Sequence, residues 1–358
     1  MHVIIFFMLI FAGCNKNTPE RTVSSTQELL TVQFEIPSIS SLYMHRGEII
    51  EHNTEGLKIS TQKDLIEKND AYHLGSCTKA MTATLAAILI EEGKLDWSTT
   101  LSELLPELKM HPDFSTITFE SLFIHRAGLP VNHYEVFEKI RYMPVMDGRE
   151  LVAQTLLTSS PETLPGSKFS YSNFNYIIAG HILEKLTGKS WEALMKEKIF
   201  APLEMSTCGF GPAPEVWGHI RSASGKISPV FSDNPAALGP AGTVHCSLPD
   251  WGKFLSIHER GFNGDDIFLS RESFKKLHSV HPSNDSAYTY GGWLLLYRSW
   301  AKGPVLTHAG SNTMNFAQVW IAPSLHGIFM GATNISGEKA EQATDKATGR
   351  LIEKYFPQ

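Results

Sequence analysis

The feature that most constrains the fold is an apolar run from Ala80 to Ile90, which directly follows the segment from Gly75 to Lys79. When this run is wound as a helix, apolar side chains cover every face of it. A helix of this kind is buried, because none of its faces favours water. The sequence therefore predicts a helix that runs through the centre of the domain and ends at Gly93.

The segment before this helix carries a pair of residues suited to nucleophilic chemistry. Ser76 and Lys79 are three positions apart, and residues at i and i+3 lie about one turn apart on the same helix face. A serine hydroxyl becomes a good nucleophile when a neighbouring base accepts its proton, and a lysine kept neutral by burial is such a base. On its own, the motif specifies only two residues out of four. The same pair therefore also fits a surface turn of an amphipathic helix.

Two later segments add polar groups that fit the same chemistry. Tyr171 and Asn173 lie in a short polar stretch between the turn signal at Pro165-Gly166 and a helical run. Much later in the chain, the segment from Thr307 to Ser311 follows a strand-like apolar stretch. Three separate segments with catalytic residue types are far more informative than the Ser–Lys pair alone.

Together these segments resemble the S-x-x-K, Y-x-N and H-x-G motifs of penicillin-binding proteins and serine β-lactamases. From about Ile39 to Ile352 the chain resembles the branch that holds class C β-lactamases, D-alanyl-D-alanine carboxypeptidases, D-aminopeptidases and related esterases. The resemblance implies an α/β (α+β) fold of the β-lactamase/transpeptidase type. In that fold an antiparallel sheet is flanked by helices, and a helical lobe is inserted. Membership does not by itself fix the substrate.

The resemblance also implies a role for each motif residue. Ser76 is expected to attack a carbonyl and form an acyl-enzyme, while Lys79 and Tyr171 share its proton. Asn173 is expected to bind Lys79 and a substrate amide. The backbone N–H groups of Ser76 and Ser311 are expected to form the oxyanion hole.

His308 distinguishes this chain from many relatives of that family, which have Lys at the equivalent position. Lysine is a permanent cation there for a substrate carboxylate, whereas histidine is mostly neutral at pH 7. The substitution therefore favours esterase or aminopeptidase activity over action on carboxylate-bearing substrates. Ala309 and Gly310 are expected to bind substrate along the strand, with Gly310 leaving room for it.

The predicted elements agree with a sheet that is built from both ends of the chain. We expect a catalytic domain over 31–358, with a sheet lobe at about 31–75 and 285–358 and a helical lobe at about 76–284. The irregular stretch from Gly209 to Leu238 is expected to form a loop at the rim of the cleft. Strands are predicted at 40–44, 48–51, 305–307, 316–321 and 328–334, and helices at 150–157, 176–186, 191–199 and 338–355.

Composition argues against some classes of partner and cofactor. The formal net charge is −6 and no basic stripe is present, so nucleic acid is not expected as a partner. The chain has 15 histidines but no H-E-x-x-H motif, and His278 with His281 is the close pair on a predicted helical stretch. We therefore expect no metal and no cofactor, and a structural role for His125.

The first residues indicate export. Val3 to Phe11 is an apolar run too short to span a bilayer, and Ala12 and Gly13 follow it before Cys14. This pattern resembles a bacterial lipoprotein cleavage site, so we expect residues 1–14 to be a signal segment and Cys14 to be lipidated. Residues 15–30 would form a flexible spacer, and the protein would be tethered to a membrane of the cell envelope. The alternative is an uncleaved strand of the core.

The remaining cysteines are Cys77, Cys208 and Cys246, an odd number, so at least one is free or paired with another molecule. A disulfide between Cys208 and Cys246 fits an exported protein, but three free thiols is the default expectation. A cysteine nucleophile at Cys77 is disfavoured, because its side chain should point away from Lys79.

Two hypotheses about function follow from the sequence. The first is a serine hydrolase that acts on a β-lactam, a D-amino-acid peptide or a small ester. The second is a catalytically idle relative that binds cell-wall fragments or a protein partner through the same cleft. The intact set of Ser76, Lys79, Tyr171 and Asn173 favours the enzyme.

Overall fold

The structure is a computed structural model that describes residues 28–283 and 285–357. Its helices are α1 Glu28–Phe34, α2 Thr78–Glu91, α3 Leu101–Leu104, α4 Phe119–Phe123, α5 Tyr134–Ile140, α6 Val145–Leu157, α7 Asn173–Thr187, α8 Trp191–Met195, α9 Gly239–Gly242, α10 Leu248–Phe262, α11 Arg271–Leu277 and α12 Glu338–Tyr355. Its strands are β1 Ser38–His45, β2 Glu48–Gly56, β3 Ala71–His73, β4 Gly209–Phe210, β5 Gly218–Arg221, β6 Ile227–Val230, β7 Val244–Ser247, β8 Leu294–Arg298, β9 Gly303–Ser311, β10 Phe316–Ala322 and β11 Gly327–Thr333. In the described part of the chain, no helix has the length and apolar character needed to cross a bilayer.

The main sheet combines strands from both ends of the chain. Its order is β2-β1-β11-β10-β9-β8, and every neighbouring pair is antiparallel. Strand β1 therefore pairs with β11, although most of the chain lies between them. The predicted fold class, an antiparallel sheet with helices packed around it, is confirmed.

The two faces of this sheet are covered by different helices. On one face Tyr43 stacks on Phe329 with ring centroids 4.6 Å apart, and both pack with Leu351 of α12. On the other face Met44 packs toward α10, where a side chain at Gly252 would collide with the Met44 sulfur. Alternation of side chains along each strand is what allows one strand to supply both layers.

Helix α2 lies at the centre of the molecule, as its sequence predicts. Except for Ile88 and residues beyond Leu89, every side chain of α2 is buried, including that of Lys79. The helix ends at Glu91 and Gly93 follows in the left-handed region with φ of 71°. Burial on all sides fixes the orientation of α2, and therefore the position of the turn that precedes it.

The N-terminal predictions lie largely outside the described residues. The signal segment 1–14, including Cys14, is not among them, and neither are spacer residues 15–27. Residues 28–30, predicted as the end of the spacer, instead belong to α1. The reason is that Leu30 is fully buried in a small apolar cluster with Ile36 and Ile39.

The expectation of three free thiols is wrong, because Cys208 and Cys246 form a disulfide. Strand β4 begins directly after Cys208 and pairs with β7, where Gly209 lies opposite His245. This antiparallel register places Cys208 and Cys246 opposite each other. Among the cysteines in the described residues, Cys77 is free and buried.

The stretch from Gly209 to Leu238 contains more regular structure than the predicted rim loop. It forms β4, the two-stranded β5–β6 sheet and a short 3-10 turn at Ala236–Leu238.

Candidate active site

Ser76 and Lys79 meet at the start of the buried helix. Residues Gly75–Cys77 form a 3-10 turn that continues into α2, so Ser76 lies one turn before Lys79. The Lys79 Nζ is 3.2 Å from the Ser76 Oγ. Ser76 is half-buried whereas the lysine is fully buried, so the hydroxyl is the member of the pair that a substrate can reach.

Tyr171 and Asn173 are positioned by the N-terminus of α7. Between them Ser172 caps the helix, since its hydroxyl oxygen accepts from the Phe174 backbone N–H at 3.2 Å. The Ser172 N–H in turn donates to the Nδ1 of His125 at 3.2 Å. The cap turns the flanking side chains of Tyr171 and Asn173 toward Lys79.

Three oxygen atoms surround the Lys79 amine, and no carboxylate of the described residues forms an ion pair with it. Its Nζ lies 2.8 Å from the Asn173 Oδ1, 2.7 Å from the Ala241 carbonyl oxygen and 3.2 Å from the Ser76 Oγ. Burial disfavours the ammonium form and lowers the pKa of Lys79 to about 7. A substantial fraction of this amine is therefore neutral at neutral pH.

Tyr171 contacts both members of the Ser–Lys pair. Its hydroxyl interacts with the Ser76 side chain, and the Lys79 Nζ lies over its ring, 4.9 Å from the centroid. Burial raises the pKa of Tyr171 well above its usual value, although the hydrogen bond to Ser76 acts in the opposite direction. The phenol is therefore protonated at neutral pH.

His125 supports Tyr171 from behind, in line with the structural role predicted for it. Its ring is fully buried, and its centroid is 4.3 Å from that of Tyr171. The Nδ1 accepts from the Ser172 N–H and lies 3.1 Å from the Asn175 Nδ2. Burial holds the pKa of His125 well below its usual value, so the ring is neutral.

Strand β9 passes so close to the Ser76 turn that only glycine fits at two positions. A Cβ on Gly310 would lie 2.6 Å from the Ser76 backbone nitrogen, and a Cβ on Gly75 would lie 2.4 Å from that of Ser311. Gly75 also has a positive φ of 51°. The backbone N–H groups of Ser76 and Ser311 are thus on facing segments beside the serine hydroxyl, while Ala309 and Ser311 are exposed along the strand.

His308 lies on the same strand, but its side chain is buried. Its Nδ1 is 3.9 Å from the Cys77 Sγ, and its ring centroid is 6.0 Å from that of Tyr288. Burial, together with the nearby Lys79, lowers the pKa of His308 to about 3. The ring is therefore uncharged throughout the physiological range of pH.

Cys77 has no features of a nucleophile. It is fully buried between His308 and β10, with its Sγ 3.9 Å from the Ala317 carbonyl oxygen. Burial raises the pKa of its thiol far above the usual value. Since the thiolate is the reactive form, a cysteine-based mechanism is disfavoured, as the sequence predicts.

The carbonyl of Ala241 was missed by sequence reasoning. It accepts from the Lys79 amine at 2.7 Å and belongs to α9. A backbone carbonyl has no residue-type signature, so only the Gly-Pro-Ala-Gly composition of the turn hinted at a tight approach. Tyr288, which packs beside His125 and His308, was missed as well.

Metal-ligating residues are not grouped anywhere in the described ranges. Within residues 28–283 and 285–357, no set of three His, Cys, Asp or Glu side chains is placed to hold a metal ion. The predicted pair His278 and His281 separates, since His278 is buried against His258 at 3.0 Å between ring nitrogens, while His281 bonds Ser283.

Comparison with known sequences agrees with this geometry. A family profile described as "Beta-lactamase" matches residues 26–353. "Putative penicillin-binding protein PbpX" of Bacillus subtilis is 28% identical over 280 residues, which make up 76% of this chain and 66% of that protein. "Protein flp" of Staphylococcus aureus is 25% identical over 272 residues, or 72% of this chain and 52% of that protein. The chain thus spans just under two thirds of the first of these relatives and about half of the second.

Solved structures show the same fold. A penicillin-binding protein homologue from Pyrococcus abyssi, described as octameric, superposes with a TM-score of 0.75 at 23% identity, covering 92% of this chain and 77% of that one. D-amino acid amidase from Ochrobactrum anthropi superposes with a TM-score of 0.73 at 20% identity, covering 92% of this chain and 97% of that one. A D-stereospecific amidohydrolase from Streptomyces sp. gives a TM-score of 0.71 at 20% identity, with 92% and 98% coverage.

Proposed function

Because this chain belongs to the beta-lactamase family and has the character of a serine hydrolase, we propose that it cleaves amides and short peptides of D-amino acids through an acyl-enzyme on Ser76. The preferred substrates lack a free carboxylate next to the scissile bond. The proposal is supported by one observation above the others, the buried and uncharged His308 at the position where many relatives carry lysine.

The proton of Ser76 is expected to pass to Lys79. A neutral amine has two hydrogens, which satisfy the Asn173 Oδ1 and the Ala241 carbonyl, and its lone pair then faces the Ser76 Oγ at 3.2 Å. The Oγ attacks the carbonyl carbon as the amine takes the proton. The lowered pKa of Lys79 and the raised pKa of Tyr171 both favour lysine over tyrosinate as the base.

Tyr171 is expected to return a proton to the leaving group. Its phenol lies beside Lys79 and interacts with Ser76, so we expect it to donate its own proton to the departing nitrogen and to recover one from the Lys79 ammonium. The product amine leaves, and Ser76 remains as an ester. Water then attacks this ester by the reverse proton path, and the acid product is released with Ser76 restored.

The negative charge that develops on the carbonyl oxygen would be held by the backbone N–H groups of Ser76 and Ser311. The close approach of Gly75 and Gly310 supports this role, since it brings the backbone of the Ser76 turn against the backbone of Ser311. Removing one such donor costs about 3 to 4 kcal/mol of transition-state stabilisation in a comparable hole. Both segments must therefore keep their spacing.

Substrate class follows from charge and from the structural neighbours. A substrate carboxylate near His308 would be desolvated without a cation to offset the cost. An amide or ester at that position would not carry this penalty. The proteins named as D-amino acid amidase and D-stereospecific amidohydrolase share the fold, which favours D-configured amides among the uncharged candidates.

A panel of matched substrates tests this proposal. The ratio kcat/KM is measured for D-phenylalanine amide, its L-isomer, D-alanyl-D-alanine and benzylpenicillin, with Ser76→Ala as the control for background hydrolysis. We expect the D-amide to exceed the L-amide and the free dipeptide by about tenfold or more, equivalent to about 1.4 kcal/mol. A preference for D-alanyl-D-alanine or benzylpenicillin would contradict the assignment. Absence of turnover and of a fluorophosphonate adduct at Ser76 would favour a non-catalytic binding protein.

We also propose that the protein is exported and tethered to a membrane through a lipid on Cys14. The support is the apolar run from Val3 to Phe11 followed by two small residues and the cysteine. Two or more acyl chains, at about 0.8 kcal/mol per buried methylene, give stable anchoring. Labelling of bacteria with radioactive palmitate should mark the full chain but not Cys14→Ala, and an unlabelled wild-type chain would contradict the proposal.

A further inference from the structure

A buried group of three polar side chains lies behind the Ser76 turn, outside the motif residues. Its centre is Asp233, from the bend after β6, which is buried with 4% of its side chain exposed. The Asp233 Oδ2 is 2.7 Å from the Nε2 of His73, whose side chain is fully buried. The Asp233 Oδ1 accepts from the Nδ2 of Asn312 at 3.0 Å and from the Asn234 backbone N–H at 2.8 Å.

The His73 end of this group holds the segment before the nucleophile. The Gly75 backbone N–H donates to the His73 Nδ1 at 3.1 Å. Because Nδ1 accepts this bond, the ring proton is on Nε2, from which it is donated to Asp233. His73 therefore fixes Gly75 only as long as Asp233 holds this tautomer in place.

The Asn312 end holds the segment that follows Ser311. The Asn312 Oδ1 accepts from the Met314 backbone N–H and from the Asn315 Nδ2, both at 3.2 Å. These bonds fix the turn that ends β9. Through Asn312, the same Asp233 carboxylate thus reaches the residue next to the second proposed oxyanion donor.

We propose that Asp233 is a positioning residue that sets the spacing between the Gly75–Ser76 and Ser311–Asn312 segments, and through it the geometry of the oxyanion hole. This inference rests on the proposed function of Ser76. One carboxylate accepts from a donor on each segment, so it links two parts of the chain that no covalent bond connects. Asp233 does not touch the reacting atoms, and its effect is transmitted through His73 and Asn312.

The first test is Asp233→Asn, which keeps the size of the side chain but leaves one acceptor oxygen instead of two. The amide nitrogen would face either the Asn312 amide or the His73 N–H, so one of the two bonds is lost. We expect kcat for D-phenylalanine amide to fall about 10- to 100-fold, with KM changed less than about twofold. The maximal rate of Ser76 phosphonylation by a fluorophosphonate should fall in parallel, since that reaction uses the same hole.

The second test is a swap of the two side chains. In the double variant Asp233→Asn with Asn312→Asp, the new amide donates to the new carboxylate and still accepts from His73. In this variant the hydrogen bonds of residue 233 to residue 312 and to His73 are restored. Of the wild-type hydrogen bonds to Asp233 described above, the one from the Asn234 N–H remains lost. We expect kcat to recover several-fold relative to Asp233→Asn, a result that loss of negative charge at position 233 alone would not give.

A matched control separates positioning from stability. Asp250 is also a buried carboxylate, but it accepts from the Thr207 N–H at 2.8 Å and its hydroxyl at 2.7 Å, away from Ser76. Asp250→Asn is expected to lower the melting temperature while kcat stays near the wild-type value.

Two results would overturn the inference and leave the proposed function standing. One is a wild-type kcat and labelling rate in Asp233→Asn, and the other is no recovery of kcat in the double variant. If the wild-type protein is neither labelled by the fluorophosphonate nor active on the D-amide, both the role of Asp233 and the proposed function are wrong.

Discussion

At the scale of single residues, the reactivity of the site depends on what surrounds Lys79. Three neutral oxygen atoms contact its amine, and the nearest aromatic rings are those of Tyr171 and Tyr176. None of these groups supplies a negative charge, so burial is the dominant influence on its pKa. The lysine is therefore suited to act as a base near neutral pH.

The pH dependence of hydrolysis tests this conclusion. Because the pKa of Lys79 is about 7, its protonated form predominates below that pH and cannot accept the Ser76 proton. We expect kcat/KM for an uncharged amide to fall about tenfold per pH unit below about 7 and to level off above it. His308→Gln should leave this midpoint unchanged, since the pKa of His308 is only about 3. A midpoint near 10 would instead indicate an ordinary, charged lysine.

Replacement of the serine tests the nucleophile. Ser76→Ala removes one oxygen from a half-buried side chain, so it leaves neither a large cavity nor an unsatisfied partner other than Lys79 and Tyr171. We expect turnover to fall by about 10⁴-fold or more. The melting temperature should change little, as for most substitutions at open positions. Turnover by the purified variant within about tenfold of the wild-type rate would exclude Ser76 as the nucleophile.

The side chains gathered around Ser76 were predictable because each belongs to a short motif with a fixed spacing. Lys79, Tyr171 and Asn173 were all named from sequence, and the structure brings them together around Ser76. The Ala241 carbonyl and the Asp233 group were not predictable. One is a backbone atom, and the other joins residues that are distant in sequence and have no motif of their own.

At the scale of elements, the site depends on how closely β9 approaches the turn before α2. The contact is made by backbone atoms on both sides, with glycines at the two closest points. A small shift of either element would separate the two N–H donors. The hydrogen bonds of β9 to both β8 and β10 resist such a shift, since they fix the strand from its two edges.

Gly310→Ala tests the need for this approach. The added methyl group would lie 2.2 Å from the Leu74 carbonyl oxygen and 2.6 Å from the Ser76 nitrogen, so backbone must move. We expect kcat to fall about 100-fold or more, and stability to fall by about 1 to 3 kcal/mol. Gly349→Ala in α12 is the control, because no atom lies within 4 Å of the added group, and it should gain about 0.5 to 1 kcal/mol without loss of activity. Wild-type kcat in Gly310→Ala would contradict the packing argument.

Elements with long, regular patterns were predictable, and short ones were not. The last helix was predicted at 338–355, where α12 is found, because its pattern is amphipathic throughout. The helix predicted at 176–186 begins three residues earlier, since the Ser172 cap extends it to Asn173. Strand β7 was missed because it is only four residues long. Without β7, the disulfide between Cys208 and Cys246 could be named as a possibility but not preferred over three free thiols.

At the scale of the whole molecule, the disulfide between Cys208 and Cys246 connects the start of β4 to β7, which contacts the buried helix α2. The disulfide joins residues 38 positions apart, and β7 also contacts α2 through the bond from the Val244 N–H to the Thr78 hydroxyl. Closing a loop of this length lowers the conformational entropy of the unfolded chain. In the chain-entropy model this stabilises the folded state by about 4 kcal/mol. The link should therefore contribute to global stability.

Unfolding by urea tests this contribution. The double variant Cys208→Ser with Cys246→Ser is expected to lose about 4 kcal/mol of the free energy of unfolding, less any strain that the bond imposes. Reduction of the wild-type protein should give a similar loss, whereas Cys77→Ser should respond to reductant as the wild type does. An unfolding curve of the wild-type protein that reductant does not shift would show that the two thiols are not bonded.

The architecture of the whole molecule could be predicted from the order of its elements. Strands at both ends and helices between them leave a single sheet as the simplest arrangement, and β1 indeed pairs with β11. The assignment of helices to the two parts was harder. Helix α10 lies within the stretch predicted as the helical lobe, yet packs on the sheet at Met44, because its small Gly252 admits that side chain.

The pairing of the two chain ends has a consequence for the protein during its synthesis. The ribosome makes Ser76 and α2 early, but β9, which carries the second oxyanion donor, emerges only near the end of translation. At about 5 to 20 residues per second, the nascent chain displays its serine for roughly ten seconds or more without the strand that completes the site. Activity should therefore appear late in synthesis, only after β9 has been made and has paired beside the Ser76 turn.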